Sequence, residues 1–356
     1  MEIKLFDSYL TEGRNKAIDF LKLYASVLVV LCHCMMKFIT NNYSPLFNLI
    51  WLTQIPLFMF VSGFTNINIS NYNSIGKYFY KLLKNALILL IPCLSFMIVE
   101  CLLKQISLFD GLTNFYYSPN LWFLWALFII RIIFDFGLYL ASKIKNSFSN
   151  IFPVIFAMSF SLLIIALMFV FKDKFDFNVL SLKLIAYYIP FYCVGYVFHL
   201  ILPFLNRHNI LSIIISLLCL GILCFECFYF ESIMNFDDSS LKFVLIRAVG
   251  SISAIVVTMA AANFLVKLAF LSKLSKFGMF SLESYYLHVL FLRMLNFASD
   301  DVYLQYLISF GSTALLIAMM IVTLLIMYFI PYLHLIFFGR SFSKYAFEKK
   351  LPKIFR

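Results

Sequence analysis

Residues 17–39, AIDFLKLYASVLVVLCHCMMKFI, decide the fold. At 1.5 Å per residue this stretch spans about 34 Å as a helix, enough to cross a hydrocarbon core of about 30 Å. Only Asp19, Lys22, Ser26, His33 and Lys37 are strongly polar within it. Nine more blocks of this kind follow, so the spans expected are 17–39, 45–67, 78–103, 119–141, 151–171, 181–203, 210–230, 241–266, 278–297 and 303–338. The last is long and should break or bend near Pro331, whose ring blocks the helical ladder.

The composition agrees. The 356 residues are 63% hydrophobic and 13% charged, against about 45–50% and about 25% in an ordinary soluble domain. Disorder, a secreted disulfide scaffold and a soluble enzyme of normal type are excluded. The expectation is an all-α polytopic integral membrane protein with about ten transmembrane helices. Residues 1–338 would form the membrane domain and 339–356 a basic cytoplasmic tail. The polar residues before the first span, with no small-residue cleavage site after it, do not read as a cleavable leader.

The net charge of +11 is explained by where the basic residues fall. Ten crossings put both termini on one side, together with Lys4, Arg14, Lys16, Lys77, Lys81, Lys84, Lys143, Arg207, Lys267, Lys273, Lys276 and the basic tail. The opposite loops carry Asp110, Asp173, Asp176, Glu231, Asp237, Asp238, Asp300 and Asp301. The positive-inside rule then makes the termini cytoplasmic, so no nucleic-acid partner is expected. All eight cysteines lie in apolar blocks and read as reduced, buried hydrophobes. Neither Cys32-His33-Cys34 nor Cys224-x-x-Cys227 has the partners a metal site requires, so no metal is expected.

Ionisable groups inside lipid are costly and point to function. Taking Asp19 as 0° and about 100° per residue, Lys22 falls near −60°, Ser26 near −20° and His33 near −40°, one polar stripe. Hydrogen-bonded packing against other helices would account for such a stripe, as would a polar cavity holding a titrating histidine. His33 lies about 20 Å along the helix from Asp19, so any carboxylate orienting it must come from elsewhere. The ninth span carries Ser281, Glu283, Ser284, Tyr285, Tyr286, His288 and Arg293, with a histidine about halfway across the bilayer. Arg131 and Asp135, four residues apart on the fourth span, can neutralise each other. Arg247 and Glu226 have no partner within their own helices. At the start of the third span, Lys77, Lys81 and Lys84 share one face. This is either ordinary positive-inside charge or a phosphate-binding mouth for a polyanion such as coenzyme A.

Five segments together resemble membrane acyltransferase family 3, and most nearly its fucose 4-O-acetylase-like branch. They are Arg14-Asn-Lys-Ala-Ile-Asp19-Phe-Leu-Lys22 running on to His33; Ile55-Pro56-Leu57-Phe58 through Ser62-Gly63-Phe64; Leu121-Trp122-Phe123-Leu124; Ile189-Pro190-Phe191 through Gly195-Tyr196; and Gly278 through Ser281, Tyr285-Tyr286-Leu287-His288. The resemblance implies O-acylation: an acyl group, usually acetyl from cytoplasmic acetyl-CoA, passes to a hydroxyl of a cell-surface polysaccharide or its lipid-linked glycan precursor. It implies an essential His33 preceded by functional Arg14 and Asp19, and a bacterial cytoplasmic membrane location. The chain departs from the family in two places. Lys22 stands where arginine is common, and no arginine pair precedes Pro92, leaving only Lys77, Lys81 and Lys84 nearby. Lysine offers a point charge rather than a bidentate fork.

The expected site therefore comprises His33, Asp19, Tyr286 and His288 for the chemistry, with Arg14, Lys22, Lys81 and Lys84 holding the acyl-CoA phosphates. His33 would act as general base or carry the acyl group transiently. The rival is a transporter or flippase of a lipid-linked glycan, using the same stripe as a path.

Overall fold

The computed structural model describes residues 4–10, 15–40, 44–67, 72–117, 122–144, 147–171, 176–231, 233 and 240–338. Arg14 and the expected tail 339–356 lie outside the described residues. Among those described there is no strand. The helices are α1 Lys16–Phe38, α2 Pro45–Phe64, α3 Ile75–Lys104, α4 Leu108–Tyr117, α5 Trp122–Ala141, α6 Phe152–Phe171, α7 Leu182–Arg207, α8 Asn209–Tyr229, α9 Leu241–Leu265, α10 Ala269–Leu274, α11 Ser281–Leu292, α12 Val302–Phe329 and α13 Pro331–Phe338.

Eight of these are long and apolar enough to cross a membrane: α1, α2, α3, α5, α7, α8, α9 and α12. Their outward residues are apolar, as lipid contact requires. Leu102, Val170, Phe228 and Phe329 are each more than two-thirds exposed. The protein is an all-α, multi-pass membrane protein. The expected last span resolves into α12 and α13, parted at Ile330, with Pro331 opening the second helix, where its missing N–H costs nothing. The expected ninth span is shorter than foreseen. A 3₁₀ turn, Ser275–Phe280, leads into α11, whose twelve residues rise only about 18 Å.

The chain divides into two compact units, Met1–Thr65 with Phe198–Met320, and Asn66–Val197 with Ile321–Arg356. In lipid, apolar helices gain little by hiding from their solvent, so packing and interhelical hydrogen bonds must hold each unit. In the first unit, Asn15 caps α1 by accepting from Ala17 N and Ile18 N, and Ser44 caps α2 by accepting from Phe47 N. The two helices then interlock through Leu28, Leu31, Met35, Phe47 and Ile50. Asn48, fully buried, donates to the carbonyls of Cys227 (3.2 Å) and Phe230 (2.8 Å) and accepts from Ile233 N (3.0 Å), closing the end of α8. The segment before α1 docks on the ends of α7 and α9. Asn206 donates to Phe6 O (3.1 Å), Tyr9 donates to Met259 O (2.9 Å), and Asn263 Oδ1 accepts from Ser8 N (2.9 Å).

In the second unit, α3 packs against α5 and α13, and α5 against α6. Its interior holds aromatics packed at an angle, with Phe134 5.0 Å from both Tyr192 and Tyr196 by ring centroid.

Candidate active site

The polar stripe of α1 faces the 275–292 segment. Gly278 lies directly on the backbone of Asp19: a Cβ at 278 would stand 1.8 Å from the Asp19 carbonyl oxygen. At the other end, Lys37 Nζ donates to Leu292 O (2.7 Å) and Leu295 O. Leu292 is the last residue of α11 and Leu295 lies just beyond it, at the pole where a cation is favoured. The two segments therefore run parallel and in step, fixed at both ends.

Between those two fastenings the imidazoles of His33 and His288 meet, with centroids 5.1 Å apart and planes tilted by 37°. His288 is fully buried, whereas His33 is exposed. His288 Nδ1 lies 2.9 Å from the carbonyl of Ser284, one turn back. A carbonyl can only accept, so Nδ1 carries the proton and Nε2 holds the lone pair. That Nε2 has no hydrogen-bond partner among the described residues. A buried imidazole with a fixed tautomer, set against an exposed second imidazole, leaves the exposed ring as the one placed to take and return a proton.

The other expected residues divide. Asp19 is buried beside the Gly278 contact, far from the imidazoles, as the helix rise required. Lys22 is half-buried, and Ser26 spends its hydroxyl on Lys22 O (2.8 Å). Tyr285, rather than Tyr286, packs edge-on against His288, at 5.9 Å. Tyr286 is buried against Tyr285. Ser284 contacts Met320 Sδ on α12 at 3.4 Å. Lys37, at the far end of the first span, was not among the expected site residues. Its signal was present in the sequence, since it lies four residues beyond His33 and so on the same face. On another flank of α1, an apolar groove of about 450 Å³ is lined by Phe20, Tyr24, Leu46, Leu223 and Val257.

The second unit has its own polar cluster. Asp135 Oδ1 accepts from Asn66 Nδ2 (2.7 Å) and Tyr72 OH (2.7 Å), and Oδ2 accepts from Asn85 Nδ2 (3.2 Å). Lys81 stands 3.9 Å from Asp135 and donates to Asn66 Oδ1 (2.7 Å) and the Tyr72 hydroxyl. The expected Arg131–Asp135 neutralisation is shared with other segments. The carboxylate accepts from donors outside α5, Lys81 is the cation at 3.9 Å, and Arg131 acts on Asp135 through its charge while its guanidinium bonds Asn85 Oδ1 at 3.4 Å. Of the three expected lysines, Lys77 is exposed, while Lys81 and Lys84 are half-buried. Glu226 lies against Gly250 of α9, one turn from Arg247, and its Oε2 has no hydrogen bond among the described residues.

The fold defines a multi-pass membrane protein, with the His33–His288 pair set among its helices. A family model described as an acyltransferase domain matches residues 15–331, and the chain belongs to this acyltransferase 3 family. It is an enzyme that transfers acyl groups. It is similar to nodulation protein NolL of Mesorhizobium japonicum, 24% identical over 75% of this chain and 72% of that protein. It is also similar to nodulation protein NolL of Sinorhizobium fredii, 28% identical over 68% of this chain and 67% of that protein. No solved structure matches it.

Proposed function

We propose that this enzyme is an O-acetyltransferase of the bacterial cytoplasmic membrane, taking acetyl from cytoplasmic acetyl-CoA to a hydroxyl of a cell-surface polysaccharide or its lipid-linked glycan precursor. The observation that carries this reading is the pairing of exposed His33 with buried, tautomer-fixed His288. Esterifying a sugar hydroxyl needs a base near neutral pH, and imidazole is the side chain matched to that task. His33, which is open to an incoming substrate, takes the hydroxyl proton as the oxygen attacks the thioester carbonyl. Collapse of the tetrahedral intermediate expels the coenzyme thiolate, which recovers that proton. His288 packs against the first imidazole and keeps it in place.

On this reading the donor's phosphates are held by cations, with Arg14, Lys22, Lys81 and Lys84 proposed for the role. Lys84 and Lys22 are half-buried, and Lys81 is held by Asn66 and Asp135, an arrangement suited to fixing a point charge in place.

The test is NMR and mass analysis of surface polysaccharide from a deletion strain, its complement, and a His33→Ala complement. Loss of one base-labile ester, restored only by the unmutated protein, is expected. Full ester in the His33→Ala strain, with the protein in the membrane, would remove His33 from the chemistry. An ester pattern unchanged in the deletion strain would remove surface glycans as acceptor.

A further inference from the structure

Arg131 sits at the middle of α5, about 14 Å from either end of the helix, at a depth where an unneutralised guanidinium costs several kcal/mol. Its only hydrogen bond among the described residues is the 3.4 Å contact to Asn85, so most of its five donors are unused. The nearest carboxylate, Asp135, feels its charge but is shared. Asp135 already accepts from Asn66, Tyr72 and Asn85 and pairs with Lys81. Two cations thus stand over one carboxylate, a cluster one positive charge in excess inside an apolar helical unit.

The cluster is also organised in advance. Asn85 holds Asp135 with its amide and Arg131 with its carbonyl oxygen. Asn66 holds Asp135 and Tyr192 with its amide and Lys81 with its oxygen. Such a frame fixes the cations before any ligand arrives, which reduces the ordering cost of binding. Tyr72 lies just before α3 and Lys81 in its second turn, so the cluster belongs to the end of this unit where α3 begins. Lys81 keeps its side chain 30% exposed, and Arg131 is only half-buried. A ligand can therefore reach both.

We propose that Arg131, with Lys81 beside it, forms a binding site for a phosphoryl group, the fork of Arg131 supplying the bidentate contact that lysine cannot. Two ligands carry such a group: coenzyme A and a lipid-linked diphosphate. The first deepens the donor half of the reading above and rests on it; the second does not.

The test uses the full chain in nanodiscs and calorimetric titration with coenzyme A against pantetheine, and with farnesyl diphosphate against farnesol. One phosphorylated probe should bind, its phosphate-free counterpart should bind much more weakly, and Arg131→Gln should weaken that probe by at least about tenfold. Arg131→Lys keeps the charge but not the fork and should fall between the two. It carries the test alone if Arg131→Gln does not fold. Binding of farnesyl diphosphate without coenzyme A would keep the site but withdraw donor docking at Lys81. Equal binding of a phosphorylated probe by parent and variants, or no binding of either by the parent, would overturn the proposal.

Discussion

His33 of α1 and His288 of α11 face each other with ring centroids 5.1 Å apart, one exposed and the other fully buried. Among the described residues, neither imidazole hydrogen-bonds a carboxylate of the kind a catalytic triad would supply. The backbone carbonyl of Ser284 sets the tautomer of His288, and the packing of α1 on α11 sets the rest. The site's precision therefore depends on helix register.

His33→Ala should lower acyl transfer by roughly 10²–10⁴-fold, the usual worth of a positioned acid–base group. His288→Ala should cost less, because it removes a neighbour rather than the exposed base. Ester content per cell, normalised to membrane-inserted protein, measures both. A larger loss for His288 would reverse the assigned order.

Lys37→Met removes the cation that closes α11 through Leu292 and Leu295. The His33–His288 register should loosen, with turnover falling about ten- to a hundredfold while KM for the acyl donor holds. Lys37→Arg keeps the charge and the donors and should recover most of the loss. Failure of arginine to rescue would show that the contact is not what matters.

Gly278→Ala puts a methyl group 1.8 Å from the Asp19 carbonyl. This is a backbone atom that cannot step aside alone, so the segments must part at a cost of roughly 1–3 kcal/mol. Gly221→Ala in α8, where a Cβ meets nothing within 4 Å, should instead stabilise by about 0.5–1 kcal/mol. Thermal unfolding in detergent should move the two variants in opposite directions.

Asp135→Ala strands the donors of Asn66, Tyr72 and Asn85 and leaves the Lys81 ammonium without its carboxylate. The expected loss is about 2–4 kcal/mol, below the upper end for fully buried pairs because Lys81 is part exposed. Asp135→Asn keeps the shape and should fall between. A thermal midpoint indistinguishable from the parent in both would deny the network any structural weight.

The membrane class was readable because each apolar block is long and unbroken, and the α1 stripe because helical period alone aligns Asp19, Lys22, Ser26 and His33. His288 entered the expected site with His33 through the family resemblance, while their direct contact was not readable, because the two lie more than 250 residues apart. The Arg131–Asp135 spacing gave only part of its cluster for a related reason. Amides at Asn66 and Asn85 and the Lys81 ammonium, on other segments, share the carboxylate, and no local pattern announces them. The ninth span looked full length because apolar residues recur through Phe297. Its helix nevertheless stops at Leu292, where Lys37 takes the last carbonyls.

Lys37 and Leu292 are separated by 255 positions. At about 5–20 residues per second, a ribosome needs roughly 13–50 s to cover that distance. For that interval α1 sits in the bilayer with α2 against its apolar flank and its charged flank waiting. A polypeptide released before α11 emerges carries that flank uncovered and without the second imidazole. The setting of His33 is thus completed only when almost the whole chain has been threaded.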